Sequence, residues 1–213
     1  MNDATAVDIL ADRMIGLMRE IRRIVIASGN QGKVEEFQQY FRRYFADGVV
    51  ILPKPAELEI EETGATFLDN AKLKAYQTAI ATEEWSLADD SGLEVMALGG
   101  APGVKSARYA DDDQARIARV LRELGDRSDR SARFVCAIAV ANPRGEIVYE
   151  AVGTCEGEIT HAPRGDRGFG YDPIFLVPEY GQTFAEMPSE LKHRISHRAR
   201  ALAILQAQWQ SEL

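Results

Sequence analysis

Cysteine and uninterrupted apolar sequence are both scarce in this chain, and each shortage removes a class of protein. Two cysteines in 213 residues cannot staple a small secreted scaffold, so the fold must rest on an apolar core. Cys136 and Cys155 fall in two expected strands on either side of the turn Asn142-Pro143-Arg144-Gly145. A hairpin register that sets Cys136 opposite Ala151 leaves Cys155 about 13 Å further along the strand, outside disulfide reach. Two reduced thiols and a cytoplasmic setting are therefore expected. The longest apolar run, 134–141, has eight residues, whereas a membrane-spanning helix needs roughly 20. Asp3, Asp8 and Asp12 stand where a secretory signal would be basic and then apolar. Neither export nor a membrane partner is expected.

Positive charge is also short, since 33 Asp and Glu outnumber 25 Lys and Arg for a net charge of −8. Backbone binding to nucleic acid needs an excess of cations, and no long basic run supplies one, so nucleic acid is not an expected partner. The 46% hydrophobic and 27% charged content belongs to a packed chain rather than a disordered one. The length suits one large domain or two small lobes sharing a core.

What is present reads as an α/β protein. Leu10, Met14, Leu17, Met18 and Ile21 share one helical face, which predicts an extension helix over 1–22 docked on a body spanning 23–213. The body opens with a short buried strand at 24–27, the turn SGNQGK at 28–33, and a helix to about residue 45. A second strand at 49–52 stops at Pro53. Thr66 with Asp69 outlines a capping box that starts a helix with Leu68, Ala71, Ala75 and Ala79 inward. Residues 86–88 read as a strand ending at Asp89-Asp90-Ser91-Gly92. Residues 111–125 read as helix, and 132–141 with 146–154 as antiparallel strands, so the sheet should be mixed. Helix from about residue 189 closes the chain, with Leu202, Leu205 and Trp209 inward.

Several segments carry chemistry. SGNQGK, comprising Ser28, Gly29, Asn30, Gln31, Gly32 and Lys33, lies where a strand hands over to a helix, so amides and the helix dipole favour an anion. Its spacing is not that of a P-loop. An N-cap at Asn30 with a solvated Lys33 would explain the motif equally well. Adjacent Asp89 and Asp90 at a strand end repel each other and call for a nearby cation, with Glu62 as a partner in holding magnesium; a turn closed by Gly92 is the plainer alternative. Asn70 and Lys74 project together from one helix face at i, i+4, with Lys72 roughly opposite. In GFGYDP the third glycine of a dinucleotide fingerprint is replaced by Pro173, so Rossmann binding is rejected. Phe169 and Tyr171, flanking Gly170, could offer a face to a base with Asp172 as acceptor, or could form a buried aromatic turn. Lys192 and His197 would point about 140° apart on one continuous helix, and a break at Ser196 would let them converge with Arg198.

Taken together, SGNQGK, EETGATFLDNAKLKA at 61–75, ADDSGLEV at 88–95, GGAPGVKSARYA at 99–110, GFGYDPIF at 168–175 and ISHRARAL at 195–202 closely resemble the inosine triphosphate pyrophosphatase family. The resemblance runs in order from residue 23 to about 208 and leaves 1–22 outside. It implies a two-lobed α/β fold with a long mixed sheet flanked by helices, a cleft between the lobes, and a homodimer. It implies magnesium-dependent hydrolysis of non-canonical purine nucleoside triphosphates to the monophosphate and pyrophosphate. By motif position, Ser28 to Lys33 would hold triphosphate, Glu62 and Asp90 magnesium, and Ser91 the substrate. Asp90 would accept the proton, while Phe169, Gly170, Tyr171, Asp172, Lys192, His197 and Arg198 would surround the nucleotide. Lys74 fits as a further phosphate contact. A noncatalytic nucleotide sensor and a base-blind anion-binding module are the competing readings. Pyrophosphate release from ITP separates the first, and preference for ITP over free triphosphate separates the second.

Overall fold

The computed structural model describes residues 21–44 and 49–210. The helix expected over 1–22 thus falls outside the described residues, apart from its end, where Ile21 is buried. Strand β1 (Arg23–Ile26) leads into helix α1 (Gln31–Tyr44), and β2 (Val50–Pro53) returns parallel beside β1. Helix α2 (Phe67–Thr82) follows, then three long strands, β3 (Trp85–Val95), β4 (Ser131–Ala141) and β5 (Ile147–Ile159), with α3 (Asp113–Leu124) between β3 and β4. Short strands β6 (Phe175–Val177) and β7 (Gln182–Thr183) complete an open sheet in the order β2-β1-β3-β4-β5-β6-β7. Pairing is parallel around β1 and antiparallel from β3 onward. Helices α4 (Ser189–Ile195) and α5 (His197–Gln210) end the described chain. Among the described residues, no helix is long and apolar enough to cross a membrane.

Local chemistry explains these elements. Thr66 accepts from the Asp69 amide and Asp69 from the Thr66 amide, both at 3.1 Å, so the predicted capping box starts α2. The alanines of α2 lie on Ala88, Ala137, Ala139 and Ala141, which brings the helix close to the sheet. On the opposite face Phe37 and Phe41 of α1 and Leu202 and Leu205 of α5 pack with Ile24, Leu87 and Ile138. A separate core around Leu93, Ile117, Phe134, Ile174 and Phe184 occupies the other end of the long strands. A Cβ at Gly153 would overlap the backbone of His197 and Ala201, so the absent side chain is what lets α5 lie directly on β5.

Two expectations need correction. The acidic pair does not end a strand, because β3 runs unbroken through it and stays paired with β4 to Val95. In the hairpin, Cys136 faces Gly153 and Cys155 faces Phe134, a register two residues from that expected. The turn joins Ala141 to Ile147, and the pairing shifts between Val140 and Ala141. The cysteines then become diagonal neighbours, at about 7 to 8 Å. Both are free and buried.

Candidate active site

The unbroken path of β3 organises the site. Successive strand residues point to opposite faces of a sheet, so the two adjacent carboxylates are delivered to different helices. Asp89 shares its face with Leu87 and meets α1 and α5: Lys33 approaches it to 2.9 Å and Arg198 to 3.3 Å. Asp90 emerges on the α2 face, where Asn70 donates to it at 3.0 Å and Lys74 stands 3.6 Å away. The expected repulsion is relieved by this division, with separate cations for each charge.

Electrostatics set the two apart. Burial pushes the Asp89 carboxyl upward, but Lys33 and Arg198 outweigh it and hold the group far below the usual carboxylate range. Asp90 lies above its ordinary value, raised by burial and by the charge of Glu62 against the pull of Lys74. Asp89 is a permanent anion, whereas Asp90 is the more basic of the pair.

Glu62 reaches the same place from the segment before α2. Its carboxylate accepts from Lys74 at 2.7 Å and from Arg108 at 2.9 Å. Burial raises its carboxyl, and Lys74 and Arg108 more than reverse the effect. Two carboxylates from distant stretches therefore face a single ammonium, that of Lys74. Among the described residues no group of three or more His, Cys, Asp or Glu is placed to hold a metal. An oxygen pair of this kind fits an ion that takes one or two carboxylates and completes its shell with phosphate and water, as magnesium does.

The turn after β1 is built by its own side chains. Ser28 accepts from the Asn30 amide at 3.2 Å and Asn30 from the Lys33 amide at 3.1 Å. Asn30 therefore does cap α1, and Lys33, far from being solvated, reaches across to Asp89. Ser28, Gly29, Asn30 and Lys33 line the cleft, while Gln31 and Gly32 do not. Gln31 turns outward to Glu35 at 3.2 Å. Gly32 lies beneath the Phe169 ring, which a Cβ there would approach to 3.1 Å.

The far wall is the broken C-terminal helix. Ser196 leaves helical geometry and accepts from the Ala199 amide at 3.2 Å, which is the predicted break and cap. Lys192, His197 and Arg198 consequently line one cleft with Glu62, Lys74, Asp90 and Ser91. Lys192 donates to Asp172 at 2.6 Å and sits 4.7 Å from the centre of the Phe169 ring. Burial raises the Asp172 carboxyl, opposed by Lys192. Arg198 pairs with Glu36 and donates to the Ser91 hydroxyl at 3.3 Å. His197 stacks on Phe134 with centroids 4.7 Å apart, and its buried Nδ1 has no partner. Burial, with Arg198 and Lys192 alongside, holds its pKa well below the ordinary histidine value, so the ring is neutral at pH 7. Tyr171 is buried and spends its hydroxyl on the Ser106 carbonyl at 2.8 Å; it borders the cleft together with Asp172 and the half-buried Phe169 and Gly170.

The whole forms a cleft of about 610 Å³, within the size range of small-molecule sites. Sequence reasoning missed Glu36, which holds Arg198 and stands 3.5 Å from Lys192. Its one local signal is its i, i+3 spacing from Lys33. Asp113 and Arg116 at the start of α3 also line the cleft unannounced.

An open mixed sheet whose long strand carries carboxylates to both faces thus brings a capped strand-to-helix turn and a helix break bearing Lys192 and Arg198 to one cleft. Comparison with known proteins gives it a family. The sequence pattern of the Ham1 family matches residues 24–208. A Synechocystis protein named dITP/XTP pyrophosphatase is 50% identical over 186 residues, covering 87% of this chain and 94% of that one. A Nostoc protein of the same name is 54% identical over 182 residues, covering 85% and 91%. The solved Staphylococcus aureus Ham1 protein is 43% identical with a TM-score of 0.80, covering 90% of this chain and all of that one. The chain belongs to the Ham1 family.

Proposed function

We propose that the protein hydrolyses non-canonical purine nucleoside triphosphates (ITP, dITP and XTP) to the monophosphate and pyrophosphate, with Mg2+ as cofactor, and so clears deaminated purines from the nucleotide pool. The observation that carries this reading is the convergence of Glu62 and Asp90 on Lys74, opposite the turn at Ser28 to Lys33. The names of the family relatives support the substrate class.

In this reading Glu62 and Asp90 hold the magnesium ion, which when bound neutralises charge building on phosphate oxygens. Lys74 and Lys33, with the amides of the β1–α1 turn, grip the triphosphate. Water attacks the α-phosphorus, a new P–O bond forms, and the bond to the β-bridging oxygen breaks as pyrophosphate leaves. The water proton passes to Asp90, which is suited to accept it by its position beside the reacting phosphate. Asn70 fixes that carboxylate at 3.0 Å. Asp89 keeps its charge throughout and holds Lys33, Arg198 and the Ser91 hydroxyl in place.

The base is read against Phe169, Lys192, His197 and Arg198. Hypoxanthine and xanthine present an acceptor oxygen at position 6 where adenine presents an amino donor. Arg198 and backbone amides pair with the first and oppose the second. Each mismatch leaves a buried polar group unpaired at a cost of about 1 to 3 kcal/mol. We further read residues 23 to 213 as one two-lobed domain, assembled as a homodimer and acting in the cytoplasm on free nucleotides.

The test is pyrophosphate release from ITP, XTP, dITP, GTP and ATP with and without magnesium. Turnover of the first three, lost on chelation and well above that of ATP, is expected. Binding without turnover would replace the enzyme by a sensor.

A further inference from the structure

The loop that carries Phe169 is fastened at two points. On one side the Asp172 carboxylate accepts from the Phe169 amide at 2.9 Å and from Lys192 at 2.6 Å. On the other, Asp113 in the first turn of α3, 57 residues away in sequence, accepts from the Gly170 amide at 2.8 Å. The other oxygen of Asp113 is held by Arg116 at 2.5 Å, and Arg116 in turn donates to the Ala110 carbonyl at 3.1 Å. Gly170 has φ of +62°, a left-handed conformation that glycine adopts without strain but does not enforce, so the local backbone alone does not fix this peptide. Asp113, Arg116, Phe169 and Gly170 all line the cleft. Asp113 touches none of Glu62, Lys74 or Asp90 in the described contacts, so it bears on the Phe169 end of the cleft alone.

We propose that Asp113 is a positioning residue for base recognition: by holding the Gly170 amide it fixes Phe169 over the Lys192 wall, against which the purine stacks. The inference rests on the reading of that wall as the base site. Asp113 acts through Phe169, contributes nothing to the triphosphate grip, and divides binding of the two products. The nucleoside monophosphate needs the fixed loop, whereas pyrophosphate does not.

The test is calorimetric titration of the full chain with IMP and, separately, with inorganic pyrophosphate. Asp113→Ala should weaken IMP about tenfold, the effect of losing one orienting hydrogen bond, and leave pyrophosphate within about twofold. Asp113→Asn keeps an oxygen facing the Gly170 amide and should restore IMP affinity to within about twofold of wild type. Asp112→Ala is the control for general damage. Asp112 caps the same helix by accepting from the Ala115 amide at 2.8 Å, so its loss should lower the melting temperature without separating the two ligands. Asp113→Ser, too short to reach Gly170, replaces the alanine variant if that one does not fold. Equal weakening of IMP and pyrophosphate, or IMP binding unchanged in the alanine or serine variant, overturns the assignment. If wild type binds IMP no better than ribose 5-phosphate, the base site itself is misplaced and the proposal falls with it.

Discussion

Replacing Arg198 with methionine removes a guanidinium from a buried, interdependent charge cluster while keeping a long stem in its place. Arg198 is 3% exposed and holds Glu36, Asp89 and the Ser91 hydroxyl at once. Its loss strands two carboxylates, one of which, Asp89, already has a buried oxygen without a partner. Deleting one member of a buried ion pair costs about 3 to 5 kcal/mol. The lower end applies, because Lys33 stays 2.9 Å from Asp89 and Lys192 3.5 Å from Glu36. In a chain of this size each kcal/mol moves Tm by about 2 to 4 °C, so calorimetry at pH 7 should show a fall of about 6 to 12 °C. Adding Glu36→Gln removes one stranded charge, and the double variant should regain about a third of the loss or more. A fall under about 2 °C, or a double variant less stable than the single one, would refute the reasoning.

Other outcomes follow from the same geometry. Asp90→Asn preserves shape and should leave Tm within about 2 °C while cutting pyrophosphate release below about a tenth of wild type; retained turnover removes Asp90 from its role. Glu36 is held below its ordinary value of 4.5 by Arg198 and Lys192, which outweigh burial. The stability it contributes is therefore complete above that value and lost as pH falls through the lower, folded one. Urea midpoints measured from about pH 3 to 7 should fall less steeply on the acid side in Glu36→Gln, and parallel profiles would contradict the assignment. Burial raises both thiols to about 11. A thiol reagent near pH 8 should label neither cysteine in the folded protein and both in urea; rapid labelling of the native state would show that one is exposed. Thr66→Ala removes the α2 cap and should cost about 1 kcal/mol, seen as a fall of about 2 to 4 °C in Tm; no change would mean that the cap is idle.

The parts of the site legible in the sequence are those whose chemistry is local. The turn SGNQGK is closed by contacts two and three residues apart, and the Thr66–Asp69 box by reciprocal contacts three apart. The break at Ser196 was readable because an unbroken helix could not bring Lys192 and His197 to one place. The path of β3 was not. Two carboxylates and a glycine look like a strand end because charges are rarely buried in a sheet without partners, and here the partners come from α1, α2 and α5, up to 109 residues away. Glu36 escaped for the same reason, since Arg198 lies 162 residues from it. The hairpin register was lost in two steps, a turn one residue longer than expected, so that Ala141 pairs with Ile147, and an irregularity between Val140 and Ala141, neither of which alternation of apolar residues reveals.

Attack by water at the α-phosphorus is the step on which the assigned roles of Asp90, Glu62 and Lys74 converge, and isotope tracing tests it directly. Turnover of dITP in oxygen-18 water with magnesium, followed by mass analysis of both products, should place one heavy oxygen in the dIMP phosphate and none in pyrophosphate. Label in pyrophosphate, or release of orthophosphate in its place, would contradict the account.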